Sequence, residues 1–187
     1  MQTDVENRII AAAIASFNQK GARFTMDDVA NSLAMSKKTL YKYFESKDEL
    51  ILAAVKKGFE AVKECERAIC EDSSLDIVQK IRRVIVVIPK EYEGIDWRRL
   101  SEFKNAVPQA SELIRHYLET GWEMTIDLLK EGIRQGRIRD IEIPVLKCMI
   151  ESSFEGFIES SALTDAGISY EQALKTMIDI IMQGITI

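Results

Sequence analysis

Thr25-Met26-Asp27-Asp28-Val29-Ala30-Asn31-Ser32-Leu33-Ala34-Met35-Ser36-Lys37-Lys38-Thr39-Leu40-Tyr41-Lys42-Tyr43-Phe44-Glu45-Ser46-Lys47-Asp48-Glu49-Leu50 carries three helix starts in a single run. Thr25 with Asp28, and Ser46 with Glu49, have the spacing of a capping box, in which a hydroxyl and an acid satisfy each other's backbone N–H. Ser36 is a further N-cap. Val29, Ala30 and Leu33 form the apolar face of a short helix ending near Ala34. Leu40 and Phe44 point inward at i, i+4 from a second helix, Lys37 to Phe44. Leu33-Ala34-Met35-Ser36 joins the two in a tight turn, and the Ser46 cap opens a long helix to about Cys70.

Upstream, Ile9, Ile10, Ala13, Ile14 and Phe17 recur at three- and four-residue spacing, which predicts a first helix from about Thr3 to Lys20. Gly21 follows where a left-handed C′ residue belongs. Downstream, Asp72-Ser73-Ser74 reads as a cap, with Leu75, Val78, Ile81, Ile85 and Ile88 on one face. That β-branched run could instead be a strand, but the i, i+3, i+4, i+7 spacing favours a helix. A shorter helix is predicted over Ile95 to Ala106, and another from Pro108 to Gln135, bent at Gly121 and stopped by Gly136. Arg137 to Ile143 reads as a connector. Pro144 opens a helix to about Leu163, and Ser169 with Gln172 caps the last one. The prediction is an all-α chain of about nine helices.

Composition agrees. The 187 residues are 47% hydrophobic and 29% charged, with 9 Gly and 3 Pro, which suits a helical core and not a disordered chain. A single histidine, His116, leaves no site that needs two imidazoles, and three cysteines make no disulfide framework. Cys65 and Cys70, five apart, share no helix face, so no metal site is predicted. No Gly-rich phosphate loop and no nucleophile–base motif is present, so the chain is read as a non-enzyme with no catalytic residue and no cofactor. No apolar run, Val84 to Ile88 included, approaches the ~18 residues of a membrane span. The start lacks a basic n-region and an apolar h-region. A cytoplasmic protein with no membrane partner is expected.

The net charge of −5 argues against nucleic acid until its distribution is considered. Residues 1–60 hold 9 Lys and Arg against 8 Asp and Glu, while residues 61–187 hold 16 against 22. Within Ser36 to Lys47, Lys37, Lys38, Lys42 and Lys47 face Glu45 alone. Charges of this kind usually coat a solvated helix face, but here they lie on the second helix of a helix-turn-helix. In that motif the first helix braces the second, whose outer face enters the DNA major groove. Lysines can reach phosphates or guanine edges, and Ser36, Thr39, Tyr41 and Tyr43 offer hydroxyls.

The stretch Arg8 to Leu50 resembles the DNA-binding domain of the TetR family of bacterial transcriptional repressors. The resemblance is carried by Ile9-Ile10-Ala11-Ala12-Ala13, Phe17, Lys20-Gly21 and Thr25-Met26-Asp27-Asp28-Val29-Ala30. It is strongest over Thr39-Leu40-Tyr41-x-Tyr43-Phe44-x-Ser46-Lys47. One position departs: the family usually has Gly in the turn where this chain has Ala34, which implies a mildly strained or altered turn.

The resemblance implies a DNA-binding domain over residues 1–46 and a larger effector-binding and dimerisation domain over 47–187, with the helix 47–70 as the link. It implies a repressor of a double-stranded DNA operator, a homodimer through the last two helices, and release by a small-molecule effector of unknown class. Control by a protein partner, or by no effector, is the alternative. Carried over by position, the DNA-contacting residues are Thr25, Ser36, Lys37, Lys38, Thr39, Tyr41, Lys42, Tyr43 and Lys47, with Leu40 and Phe44 in the core.

For the dimer face the candidates are small residues (Ser152, Ser153, Gly156, Ser160, Ser161) with an apolar seam of Phe154, Phe157, Ile178, Ile181 and Met182. These could equally belong to the monomer core. Trp97, Phe103, Tyr117 and Trp122 are candidates to line a ligand pocket, though aromatics at helical spacing are more often plain core. Glu151, Glu155 and Glu159 share one helix face and could favour a cationic ligand if turned inward; such a stripe is more often solvated.

Overall fold

A computed structural model describes residues 2–187, with side chains from residue 4 onward. The described residues are helical, with one isolated antiparallel bridge between Ile138 and Thr186. The helices are α1 (Gln2–Lys20), α2 (Met26–Ser32), α3 (Lys37–Leu40), α4 (Lys47–Glu71), α5 (Ile77–Ile85) and α6 (Phe103–Ala106). They continue as α7 (Pro108–Glu119), α8 (Glu123–Arg134), α9 (Ile143–Glu159), α10 (Ser161–Asp165) and α11 (Tyr170–Ile185). Tight 3-10 turns occupy Gly21–Arg23, Lys90–Tyr92 and Trp97–Glu102. No described helix is long and apolar enough to cross a membrane.

Two compact units emerge, residues 1–59 with 95–116, and residues 60–94 with 117–187. These units group the chain by shared core, a different partition from the functional boundary expected after residue 46. The division falls inside α4, and the segment 95–116 belongs with the N-terminal helices. The cause is apolar: Phe103, Val107 and Ala110 are buried in the same core as Ile9, Phe17, Phe24, Val29, Leu40 and Leu50. The second unit has its own core, built on Ile81, Leu129, Ile138, Ile150 and Ile178.

The number of helical pieces exceeds nine because several predicted helices are interrupted. Pro108 to Gln135 is not one bent helix but α7 and α8, separated at Gly121, which has φ of +76°. The exposed ends of α7 are met by side chains. Trp122 donates its indole N–H to the Leu118 carbonyl at 2.8 Å, Lys147 donates to the Glu119 carbonyl at 3.0 Å, and Lys63 donates to the Gly121 carbonyl. These bonds supply what a continuous helix would have supplied.

The helix predicted to reach Leu163 stops at Glu159, and Ser160 caps α10 by accepting the Leu163 N–H at 3.3 Å. Asp72 does not cap α5. It closes a local turn on Ser74, and Asp76 takes the cap in a reciprocal box with Gln79. Ile95 to Ala106 is a 3-10 segment followed by α6.

Candidate nucleic-acid interface

In the first unit the capping chemistry read from sequence sets the geometry of the turn. Thr25 Oγ1 accepts the Asp28 N–H at 3.2 Å, and the Thr25 N–H donates to the Asp28 carboxylate at 2.8 Å. A hydrogen bond from Lys20, and then the Thr25 N–H, hold the Asp28 carboxyl down to about 2. Ser46 Oγ accepts the Glu49 N–H, but the Glu49 carboxylate reaches the N–H of Glu45 and not that of Ser46.

At the end of α2, Met35 N–H donates to Ala30 O at 2.9 Å and Ala34 N–H donates to Asn31 O at 3.1 Å. This is a complete Schellman motif with Ala34 at the left-handed C′ position, φ +51°. The departure noted in the sequence therefore leaves the turn intact and puts its strain in one residue.

Regular α3 ends at Leu40, four residues short of the predicted Phe44. The chain continues through i→i+3 bonds, Lys42 N–H to Thr39 O and Tyr43 N–H to Leu40 O. Such tightening is a common way to satisfy the last carbonyls of a helix. Leu40 and Phe44 are buried as predicted. Ser36, Lys37, Lys38, Tyr41 and Lys42 are exposed, and Thr39 is half-buried. Ser36 and Thr39 bond each other through their hydroxyls at 2.7 Å.

The nine candidate residues differ in what they have free. Lys38 and Lys42 are open to solvent, and Tyr41 is 40% exposed. Lys37 lies 2.8 Å from Asp27, an exposed pair that raises its pKa and that competing phosphates can replace. The Thr25 hydroxyl is engaged in its cap. Tyr43 is half-buried and packs on the first core. Lys47 is more committed: it donates to the Ala22 carbonyl at 2.5 Å and lies 4.8 Å from the Phe24 ring centre, and burial lowers its pKa.

The four aromatics proposed for a pocket do not form one group. Phe103 is buried in the first unit, stacked on Phe17 with ring centres 4.9 Å apart, and Trp97 belongs to the same unit. Tyr117 and Trp122 belong to the second unit. There Trp122 is buried and stacked on Phe154 at 6.5 Å, with the Lys147 ammonium 5.8 Å from its ring centre. Glu155 and Glu159 are exposed, whereas Glu151 is half-buried and lies 2.8 Å from Lys147.

Of the apolar seam assigned to the last helices, Ile178 and Met182 are core, and Phe154, Phe157 and Ile181 pack against them. The residues left exposed are others: Val145 at 58%, Met149 at 57% and Ile180 at 65%. On α9, Val145 and Met149 line up at helical spacing with exposed Ser152 and Gly156, two of the small residues named as dimer-face candidates. A Cβ at Gly156 or at Gly184 of α11 would meet nothing within 4 Å, so that surface is open.

Residues 9–54 match the family of bacterial regulatory proteins, tetR family. The chain is 30% identical over 182 residues to the uncharacterized HTH-type transcriptional regulator YvaF of Bacillus subtilis (strain 168), covering 97% of this chain and 96% of the relative. Its fold is shared by a putative transcriptional regulator from Saccharomonospora viridis in complex with choline, with a TM-score of 0.75 at 17% identity over 99% of each chain. A transcriptional regulator of the TetR/AcrR family from Thermobifida fusca YX-ER1 also shares it, with a TM-score of 0.70 at 20% identity over 97% of this chain and 98% of that one.

Proposed function

This chain belongs to the TetR family of bacterial transcriptional regulators, and on that premise we propose that it is a cytoplasmic repressor. It binds a palindromic double-stranded DNA operator as a homodimer and is released by a small-molecule effector. The observation that carries the reading is the division of residues 36–44. Leu40 and Phe44 are buried, which turns Lys38 of α3 and Tyr41 and Lys42 of the turn that continues it outward, beside α2. Lysine ammoniums and the tyrosine hydroxyl then meet phosphates, while Ser36, Lys37 and Thr39 at the start of α3 meet base edges. Residues 1–46 form the DNA-binding part. Residues 47–187 form the effector and dimer part, linked through the helix 47–70.

A twofold dimer brings two recognition helices to successive major grooves about 34 Å apart. The open face of Val145, Met149, Ser152 and Gly156 on α9, with Ile180 and Gly184 on α11, supports a partner copy seated there. Exposed apolar side chains beside glycines allow close helix approach, and a twofold contact uses the same patch on both copies. The choline-bound neighbour supports a small-molecule effector without assigning its class to this chain. An effector that prefers a dimer with misaligned recognition helices by about 1–3 kcal/mol weakens operator binding roughly 5–150-fold.

The test is binding to DNA from the region upstream of the protein's own gene, across a salt series. A near-palindromic protected site is expected, with affinity falling steeply as salt rises. Replacing Lys38 and Lys42 by Ala together removes four phosphate contacts from the dimer, lowers the affinity and reduces the log–log salt slope by about 3.6, at ~0.9 per contact. Sequence-blind binding that is indifferent to both lysines overturns the reading.

A further inference from the structure

The Gly21–Arg23 turn between α1 and α2 is held at one residue from two sides. Ala22 donates its N–H to Glu102 Oε2 at 2.7 Å, and its carbonyl accepts from Lys47 Nζ at 2.5 Å. Glu102 is eighty positions away in sequence. Its carboxylate lies so close to the turn that a Cβ at Gly21 would displace it from the Ala22 N–H. Gly21 is required for its φ of +61°, and its missing Cβ leaves the acid its seat. One residue further on, Phe103 stacks on Phe17 of α1.

The segment 97–106 therefore grips the α1–α2 connection by a charge-assisted hydrogen bond and a ring pair. Ala22 lies three residues before the Thr25 cap, and the Schellman turn fixes α3 to α2. Whatever sets the Ala22 peptide also sets where α2 and the outward face of α3 begin.

We propose that Glu102 is a positioning residue for DNA binding, through which the state of the 97–106 segment controls operator affinity. This rests on the DNA-binding reading above and adds the side chain that transmits control to it. Coupling is reciprocal, so operator binding must in turn change the protection of residues 97–106. A residue that merely helped the turn to fold would lower stability without producing that response.

The experiment uses the full chain with Glu102→Ala and Glu102→Gln, reading operator affinity together with amide exchange of the 97–106 region with and without operator. Glu102→Ala weakens operator binding at least about fivefold, the low end of such couplings, and removes the operator-induced change in exchange. Glu102→Gln, which keeps an acceptor oxygen but no charge, falls between it and the wild type. Gly21→Ala, made in both backgrounds, lowers stability more in the wild type than in Glu102→Ala, because only the wild type has the carboxylate for the new Cβ to strike. Equal penalties in the two backgrounds overturn the contact. Wild-type operator affinity and an intact exchange response in Glu102→Ala, even with a lower thermal midpoint, overturn the positioning role. A wild-type chain that finds no specific site removes the DNA-binding reading itself, and this proposal with it.

Discussion

In the first unit, helix ends are closed mainly by residues three positions away: Thr25 with Asp28, Ser36 with Thr39, Ser46 with Glu49. In the second unit, the break between α7 and α8 is closed by lysines 58 and 28 positions distant, Lys63 on Gly121 and Lys147 on Glu119. Each of those lysines is also paired with an acid on its own helix, Glu66 at 2.6 Å and Glu151 at 2.8 Å. Burial pushes the Glu66 carboxyl up while Lys63 pulls it down. The helix-turn-helix of the first unit is closed locally, whereas the break between α7 and α8 in the second needs the tertiary structure, although Asp76 with Gln79 and Ser169 with Gln172 cap locally there too. A recognition element that must present one fixed face to DNA gains from local specification, since each cap forms without waiting for a distant partner.

The largest test of this contrast lies where the first unit packs on the distant segment 97–106. Phe103→Ala removes a buried ring from the Phe17 stack and is expected to cost about 3–5 kcal/mol in urea unfolding. A loss below about 1 kcal/mol would mean that the 97–106 segment is not part of that unit's core. Next comes Lys63→Met, which leaves the Glu66 carboxylate buried without its cation and the Gly121 carbonyl without its donor. The expected loss is about 2 kcal/mol, the scale of stranding buried polar groups. A neutral result would show the long-range strap to be ornamental to the second unit.

The smallest effect is local. Ala34→Gly relieves a left-handed alanine, worth about 1–2 kcal/mol, against the greater unfolded-chain freedom of glycine, about 0.4–1 kcal/mol. A net gain of about 0.5 kcal/mol is expected, seen as a thermal midpoint raised by about 1–2 °C. A lower midpoint would show that the Schellman turn carries no strain at residue 34.

The difference between the units also explains what could be read in advance. The three caps, the buried pair Leu40 and Phe44, and the left-handed Gly21 were all legible because their partners are neighbours in sequence. The contacts of Lys47 are not legible this way: its charge suggests a phosphate contact, and only the fold brings Phe24 and the Ala22 carbonyl to its ammonium. Phe103 was counted with Trp122 because both are aromatics in the middle of the chain, yet their packing puts them in different cores. The apolar seam divides for a related reason, Ile178 and Met182 being buried while Phe154, Phe157 and Ile181 are partly buried. Helical spacing shows that two faces exist on α9 and α11, but which of them is covered depends on where α5 and α8 pack.

By itself, the sequence determined the helical class, the three-helix N-terminal module and the outward face of α3. All of these follow from spacing and from hydrogen bonds closed within a few residues. The tertiary structure alone decided that residues 95–116 join the N-terminal core, that α7 and α8 are separate, and that Glu102 and Lys47 meet at Ala22. Those outcomes depend on which buried surfaces and unpaired backbone groups come together across dozens of residues, and no local pattern encodes that choice.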